Sequence, residues 1–359
     1  MSAPATERPG AGGAAAVAPP APPPPAPRLA RVLRSAERLF LVAGLVLLVV
    51  LVRELGAGTV LDNLRLVGWG IVPVVAQEIL AYGANTLGWR WAFPPPRPHI
   101  PFARLFGARL AGDAINYVTP TATIGGEFVR TRLLNGLVPT MSVVASVAVA
   151  KLAQTLAQIG FVIVGLVIVL EDTPLPAGVR HGLLAGLALF TLLTALLLLV
   201  QRRGMFAPLV RFVQRVGLQP RAPELLHRLE HLDAEIARFH ISASRPLLMS
   251  VAAFFVGWTV GVLEIYLILW FLGVEVSVHR ALTIEVMSVA IDGMLFFVPG
   301  KVGTQEGGKV LIFTALGLDP AKGLALGILR RIRELTWAGI GLLVMSRRQL
   351  APTVAPPAP

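Results

Sequence analysis

Residues 298–307 read Val298-Pro299-Gly300-Lys301-Val302-Gly303-Thr304-Gln305-Glu306-Gly307, and they separate two apolar runs, 281–298 and 304–316. Helix breakers and ionisable side chains are costly at membrane depth, because freed backbone groups and charges need partners there. Pro299 and Gly300 therefore predict a break between two helical arms, buried in protein or facing a water-filled cavity. We interpret this stretch as the centre of a functional site.

The composition is that of a polytopic membrane protein. The 359 residues are 55% hydrophobic and 14% charged, with a mean hydropathy of +0.72, and several apolar stretches are long enough to cross a hydrocarbon core. The chain contains no cysteine, which excludes disulfides and thiolate chemistry. Its net charge of +12 does not indicate nucleic-acid binding, because Lys and Arg gather in the cytoplasmic loops of membrane proteins.

The first half of the chain carries the same pattern as the second. In each half an Asp, a Pro, a Glu and a basic residue are separated by 7, 7 and 24 positions: Asp113, Pro120, Glu127 and Lys151 (120 − 113, 127 − 120, 151 − 127), and Asp292, Pro299, Glu306 and Arg330 (299 − 292, 306 − 299, 330 − 306). This shared register predicts an internal duplication, with repeat units at 66–170 and 247–345.

Basic residues around the apolar runs predict the topology. Arginines precede the first apolar run and follow the last one, which places both termini in the cytoplasm by the positive-inside rule. The predicted fold class is an all-α integral membrane protein with about six full spans and two re-entrant hairpins. The first hairpin is expected to open to the cytoplasm and the second to the outside, which makes the repeat inverted. An interfacial amphipathic helix followed by a loop is the alternative for the first hairpin.

Composition also predicts the domain boundaries. Residues 1–27 and 349–359 are rich in Ala and Pro and are predicted to be disordered, because they cannot bury a core. The membrane domain covers 28–348, and residues 53–65 within it are predicted to form a short external loop. Residues 201–245 are predicted to form a cytoplasmic loop, in which leucines at helical spacing indicate an amphipathic helix.

This amphipathic segment contains His227-Arg228-Leu229-Glu230-His231, which fits the H-x-x-E-H pattern of one metalloprotease group. No obvious third ligand accompanies the two histidines, and the surrounding pattern is that of an ordinary charged surface helix. We therefore expect a solvated helix face at this motif, and neither a metal nor a cofactor. Gly300-Lys301 lacks the spacing of a phosphate-binding loop, so nucleotide hydrolysis is not expected.

The candidate site residues form two groups. The first is expected to meet a lipid head group, because a guanidinium fork suits a phosphate and Lys serves as a point charge. It comprises Lys151, Lys301, Glu306, Arg330, Arg331 and Arg333. The second is expected to shape the hairpins or couple their movement, and it comprises Asp113, Asn116, Pro120, Gly125, Glu127, Arg130, Asp292, Pro299, Gly300, Gly303 and Glu334. The alternative for the charged residues is internal ion pairing that only fixes the hairpins, and the alternative for the glycines of the second break is small-residue helix packing. Glu78 and Glu264, in the preceding spans, are second-tier candidates.

Two blocks of sequence carry a family resemblance. Residues 298–307, with Arg330-Arg331 further on, resemble the second block of the lysylphosphatidylglycerol synthase transmembrane-region family, the flippase-like membrane domain of bacterial multiple peptide resistance proteins. Residues 116–130, with Gly125-Gly126-Glu127, are similar to its first block. The resemblance covers residues 66–346 and implies a multi-pass protein that binds or flips lipids. It implies the flippase-like half alone, without the soluble aminoacyl-transferase domain.

The stretch Arg330-Arg331-Ile332-Arg333-Glu334 also resembles a subgroup associated with hopanoid biosynthesis. Together, the residues and the resemblance predict a lipid transporter of the bacterial inner membrane that is not an enzyme. It is expected to bind an anionic or isoprenoid lipid at a charged cavity near the midplane.

Two other functions remain alternatives. One is an intramembrane enzyme acting on a lipid head group, with Glu127 or Glu306 as general base, although no nucleophile, metal cluster or cofactor motif supports it. The other is an accessory lipid-binding protein of a hopanoid or lipid pathway. The expected partners are membrane lipids, with a homo-oligomer or a lipid-biosynthesis protein as further options, and no nucleic acid.

Overall fold

The computed structural model describes residues 42–43, 45–119, 124–172, 177–202, 244–294 and 302–349. Four predicted site residues lie outside these ranges: Pro120, Pro299, Gly300 and Lys301. The tail at 1–27, residues 350–359 and nearly all of the loop at 201–245, with its two histidines, also lie outside them. Within the described ranges every element is helical, which confirms the all-α class.

A segment of three helices precedes the first hairpin and runs into the first repeat unit. Helix α1 spans Ala57–Val67, a 3-10 turn spans Gly68–Gly70, α2 spans Ile71–Ala76 and α3 spans Glu78–Trp91. Residues 45–54 before them are helical as well.

The predicted external loop at 53–65 is wrong over most of its length, because α1 begins at Ala57. The buried residues of α1 recur at intervals of three and four, so one face of this helix packs against the protein: they are Val60, Asn63 and Val67. Its charged residues lie on the exposed face and misled the prediction. The chain breaks instead at Gly56, whose φ of 84° is a conformation that favours glycine.

Hairpin 1, which we define as α4 and α5, follows α3. Helix α4 spans Phe102–Val118 and α5 spans Ile124–Leu133, so the two arms lie on either side of Pro120, the proline of the repeated pattern. Thr119 is extended, with φ −111° and ψ 129°, as expected for a residue before proline. Two long helices follow, α6 at Thr140–Asp172 and α7 at Ala177–Arg202.

The second repeat unit has the same order of elements. It contains α8 at Ser244–Phe271, α9 at Val278–Met294, α10 at Thr304–Ala315 and α11 at Pro320–Gln349. We define hairpin 2 as α9 and α10. After a shift of 179 positions (292 − 113), α5 and α10 begin within one residue of each other, and so do α6 and α11. The helix boundaries therefore support the predicted duplication.

Equivalent helices of the two units pack in opposite directions. Where α8 meets the α1–α3 segment, the Ser250 hydroxyl donates a hydrogen bond to the Gly88 carbonyl at 2.8 Å. At the other end of the same contact, Phe271 lies against Gly70. Because α3 and α8 correspond in the repeat, their antiparallel contact is the geometry expected of an inverted repeat. The side of the membrane on which each unit opens stays a prediction.

Each hairpin packs on a helix of the other unit. Helix α4 of hairpin 1 crosses α11, where Gly341 lies against Leu110. Helix α9 of hairpin 2 crosses α6, where Gly165 lies against Val286. Glycine lets two helix backbones approach closely at such crossings. The two units are therefore interlocked rather than placed side by side.

The apolar core has two main parts among the described residues. The larger part lies between helices α6, α8, α9, α10 and α11, and it includes Ile268, Val286 and Phe313. The smaller part lies around Trp89 and Phe254, between α3, α6 and α8. Helices α6 and α8 contribute to both parts, so they connect the units.

The outer surface is that of a membrane protein. Three described segments are long and apolar enough to cross a membrane: Ala57–Trp91, Thr140–Leu170 and Arg245–Phe271. Large apolar side chains are exposed both inside and outside these segments. Trp69, for example, is 89% exposed and Leu343 is 61% exposed. A lipid-facing surface accounts for this extensive exposure. The count of about six spans stays a prediction.

Candidate functional site

Arg130 ties the two arms of hairpin 1 together. Its guanidinium binds Asp113 on α4 and lies 2.8 Å from the Glu127 carboxylate on its own helix. Arg109 adds a longer pair, with Nε 3.5 Å from Asp113 Oδ2. Both arginines are buried, where a guanidinium without a carboxylate would be costly. Asp113, Glu127 and Arg130 therefore meet, as the sequence predicted for the hairpin group.

Two glycines let these arms touch. The Gly126 N–H donates a hydrogen bond to Asn116 Oδ1 at 2.8 Å, which satisfies a backbone donor in the first turn of α5. A Cβ at Gly126 would lie against the carbonyl oxygen of Gly112 on α4. The predicted site included Asn116 and Gly125, which lies in the same turn, but neither Gly112 nor Gly126.

Glu306 caps α10 at the break of hairpin 2. The Gly303 N–H donates to Glu306 Oε2 at 2.7 Å, and Gly303 has a φ of 75°. The other oxygen of Glu306 accepts a hydrogen bond from Arg331 Nε at 3.1 Å. This buried carboxylate therefore serves the helix N-terminus and an arginine on α11 at once.

Lys309 and Asp292 form the counterpart of the Arg130–Asp113 pair. Lys309 Nζ lies 3.7 Å from Asp292 Oδ2, and Lys309 is 1% exposed. Both pairs join residues 17 positions apart (130 − 113, 309 − 292). The sequence-based prediction missed Lys309, although the shift of 179 aligns it with Arg130 (309 − 130).

Each hairpin also binds the helix that follows it. Glu127 Oε1 lies 3.6 Å from Lys151 Nζ, and Glu306 Oε1 lies 3.0 Å from Arg331 Nη2. The register of the repeat aligns Lys151 with Arg330. The contact with Glu306 is made by Arg331 instead, because successive residues of a helix point about 100° apart and only one of the two can face Glu306. The Lys151 side chain is 47% exposed and the Arg331 side chain 16%, so the first of these pairs is the more open.

Arg330 and Arg333 bind acids of the preceding helices. Arg330 Nη2 lies 2.8 Å from Glu264 and 2.6 Å from Glu285. Arg333 binds Glu78 and lies 3.1 Å from Glu264. The second-tier residues Glu78 and Glu264 thus belong to the site. Glu285 was missed, although an acid within an apolar run is itself a signal of a functional or paired charge.

Tyr117 joins the units at the edge of this network. Arg331 Nη1 donates to the Tyr117 hydroxyl at 3.0 Å, and the hydroxyl donates to Glu334 Oε2 at 3.3 Å. Gln305 Nε2 donates to the other oxygen of Glu334 at 3.1 Å. Helix α4 of the first unit is therefore hydrogen-bonded to α11, and α11 to α10. Neither Tyr117 nor Gln305 was predicted.

A cavity of about 140 Å³ lies where α3, α4 and α11 meet. Its lining contains three carboxylates, one guanidinium and two phenolic hydroxyls among apolar groups: the residues are Glu78, Tyr82, Asp113, Ala114, Tyr117, Arg333, Glu334, Trp337 and Ala338. Such a lining offers both donors and acceptors to a polar group. In the described part of the chain, no cluster of three or more His, Asp or Glu side chains is arranged to hold a metal ion.

Comparisons with known proteins agree with the fold and the resemblance. The family model described as the lysylphosphatidylglycerol synthase TM region matches residues 38–341. The chain is also similar to a UPF0104 membrane protein of Methanothermobacter thermautotrophicus, with 23% identity over 312 residues that cover 82% of this chain and 90% of the relative. No solved structure matches the chain. The match spans most of the sequence, and the chain therefore belongs to the lysylphosphatidylglycerol synthase transmembrane-region family.

Proposed function

We propose that this protein binds a membrane lipid by its head group at the cavity between α3, α4 and α11, and moves the lipid between leaflets without covalent chemistry. One observation carries the proposal. A network of buried and half-buried ion pairs connects α3, α8 and α11, and part of it lines a polar cavity where α3 and α4 meet α11.

The energetics of burial support a ligand role for this network. Charged groups inside a membrane protein are costly, and well-packed apolar residues usually stabilise a fold at least as well as a buried ion pair does. Arg333 and Glu78 nevertheless face a cavity rather than a filled core. Ion pairs that border a cavity can exchange partners with a polar ligand, whereas pairs enclosed in the core cannot.

The cavity offers donors to the phosphate of a lipid head group. Arg333 supplies a guanidinium, whose planar donors match phosphate oxygens, and Tyr82 supplies a hydroxyl donor. Three carboxylates line the cavity as well, so an anion binds there only while these acids are paired or protonated. Arg330 was also assigned to the head group from the sequence, but it lies between Glu264 and Glu285. We therefore assign Arg330 to holding helices together and Arg333 to the ligand.

The duplicated fold supplies a route for transport. Two units in opposite orientation can expose one site to each side of a membrane in turn, as in many secondary transporters. In this proposal the protein lies in the bacterial inner membrane with both termini in the cytoplasm, as the arginine distribution predicts. Its cargo is an anionic phospholipid or a phosphate-bearing isoprenoid lipid.

Leaflet exchange in reconstituted vesicles tests the proposal. The protein is inserted into liposomes with fluorescent phospholipids or prenyl-phosphate lipids, and an impermeant quencher reports the outer-leaflet fraction over time. We expect exchange with the wild type, its loss in Arg333→Gln, and its retention in Arg65→Gln, which removes an exposed arginine from α1. Exchange no faster than in protein-free liposomes across the whole lipid panel would overturn the proposal.

The same vesicles distinguish transport from the alternative of a lipid-modifying enzyme. Mass spectrometry of lipids recovered after the assay is expected to return the head groups unchanged. A new or missing head-group mass that depends on Glu127 or Glu306 would favour the enzyme.

A further inference from the structure

We propose that Glu78 is a proton-binding site, and that a proton on its carboxylate releases Arg333 to bind the lipid phosphate. The coupling between the proton and lipid binding rests on the proposed function. The proton-binding site at Glu78 does not depend on it.

The ion-pair network around Glu78 holds more acids than bases. Contacts of 3.8 Å or less connect three arginines, 330, 331 and 333, with five glutamates, 78, 264, 285, 306 and 334. With every group ionised, the described network would carry a formal charge of −2 (3 − 5). A buried carboxylate that lacks a matching cation is neutralised by a proton or by a bound cation. The excess of acids therefore indicates that the network takes up positive charge.

Glu78 is better placed for a proton than the other two acids that line the cavity. Asp113 has two arginines, Arg109 and Arg130, as partners. Glu334 lies near two arginines and accepts hydrogen bonds from Gln305 and Tyr117. In the described contacts Glu78 has a single cationic partner, Arg333, and must share it.

The groups facing Glu78 come from every helix around the cavity. Helix α11 presents Arg330, Arg333 and Glu334, α8 presents Glu264, α4 presents Asp113 and Tyr117, and Tyr82 lies one turn further along α3. The three acids among them disfavour a negative charge on Glu78, while Arg333 and Arg330 favour it. A change at Arg333, such as the arrival of a phosphate, therefore shifts the balance at Glu78.

Glu264 competes with Glu78 for Arg333. The same nitrogen, Arg333 Nη1, contacts both carboxylates. Glu264 is 0% exposed, and neither of its oxygens receives a well-directed hydrogen bond from the described residues, so this acid depends on the arginine charges. When Glu78 takes a proton, Arg333 remains beside Glu264 and loses one of its carboxylate partners. The carboxylate that then remains near Arg333 in the cavity is Glu334, at 3.8 Å, and in the proposal a phosphate takes the place that Glu78 gave up.

A proton fits the cavity better than a metal ion does. The described residues provide no cluster of three carboxylates or imidazoles around a common point, whereas metal ions in proteins require several ligands at short distance. Proton transfer to Glu78 needs only one oxygen that reaches the cavity. The proton comes from water on one side of the membrane and leaves to water on the other.

Infrared spectroscopy of the purified protein tests the site without any transport. Wild type at neutral pH should show the carbonyl band of a protonated carboxylic acid, the band should vanish on alkaline titration, and Glu78→Gln should lack it. Asp62→Asn, which changes an exposed acid on α1, should keep it. Absence of the band from wild type, or its persistence in Glu78→Gln, would overturn the inference.

Vesicle assays test the coupling. A pH difference imposed on the proteoliposomes should bias the wild-type lipid distribution by up to about tenfold per pH unit for one proton per lipid. Glu78→Gln, once size-exclusion chromatography shows that it is folded, should lose the response of the lipid distribution to pH at whatever rate of exchange it retains, and Glu78→Asp should keep the response. A sodium gradient at constant pH should have no effect. If the wild type exchanges lipid and the distribution does not depend on the pH difference, the coupling is wrong, whereas the proposed function is still supported. If the wild type exchanges no lipid at all, the proposed function is wrong. The infrared measurement would then still show whether Glu78 binds a proton.

Discussion

Arg331 on α11 donates a hydrogen bond to the hydroxyl of Tyr117 on α4 at 3.0 Å, and this contact crosses the boundary between the two repeat units. The partners lie 214 positions apart in the sequence. The same hydroxyl donates to Glu334, so one phenol links a cation and an anion of the second unit to the first. The strength of this link can be measured by removing a single oxygen atom.

Tyr117→Phe should weaken the contact between the units while the ring keeps its packing. Arg331 and Glu334 remain 3.3 Å apart and still pair with each other, so we expect a loss of only about 0.5–1.5 kcal/mol in the free energy of unfolding. Thermal unfolding in detergent, followed by tryptophan fluorescence, measures it. Tyr266→Phe is the matched control, because Tyr266 packs against the apolar core. An equal effect of the two substitutions would contradict the assigned link.

Gly126→Ala should destabilise hairpin 1 by about 1–3 kcal/mol, the usual cost of overpacking. The new Cβ would meet the Gly112 carbonyl oxygen, which cannot move without separating α4 from α5, and the Asn116 side-chain amide, which would have to give up its hydrogen bond to Gly126. Gly339→Ala on α11 serves as control, because a Cβ there would meet nothing within 4 Å. We expect that variant to be neutral or slightly stabilised, since Ala is the better helix former. The same thermal measurement compares the two, and a harmless Gly126→Ala would show that the arms are not in contact.

Arg330→Gln should be the most damaging of the charge removals. It leaves Glu285 buried without its cation and Glu264 with Arg333 alone, and the loss of one partner of a buried pair typically costs about 3–5 kcal/mol. Adding Glu285→Gln to the same chain should recover part of the stability, because it removes one of the stranded charges. Arg65→Gln, at an exposed pair, should cost less than about 1 kcal/mol. No recovery in the double variant would argue against the assigned pairing.

Labelling of single cysteines tests the inverted topology directly, because the chain has no natural cysteine. Asn135 follows hairpin 1, Asp319 follows hairpin 2, and both are exposed. An impermeant maleimide added to whole cells should label Asp319→Cys and spare Asn135→Cys, and permeabilised cells should label both. Labelling of both positions from the same side would refute the inverted repeat and the transport route built on it.

The helix boundaries around the hairpins could be predicted from sequence because helix breakers act locally. The break after Val118 follows from the proline at position 120, and the start of α11 at Pro320 follows from the preference of proline for a first helical turn. The pattern of intervals also singled out Asp113, Glu127 and Glu306, and the structure brings each of them into an ion pair, which is what the alternative of internal pairing expected.

The identity of the partners could not be predicted in the same way. Whether Arg330 or Arg331 meets Glu306 depends on how α11 is rotated about its axis, and a rotation of one residue exchanges them. The bond from Tyr117 to Glu334 joins residues 217 positions apart, and it depends on the crossing of α4 over α11. Helix packing decides such contacts, and no short pattern in the sequence records it.

Hairpin 1 is fastened within itself at three levels: a glycine contact between backbones, the Asn116 hydrogen bond to Gly126, and the Arg130–Asp113 ion pair. In the proposed transport, we expect an element braced in this way to move as one rigid body. The change of contacts that this movement requires is then expected where hairpin 1 meets α11. Tyr117, Arg331, Glu334 and a small cavity lie there. In the proposed transport, a ligand in this cavity is therefore expected to tilt hairpin 1 as one unit.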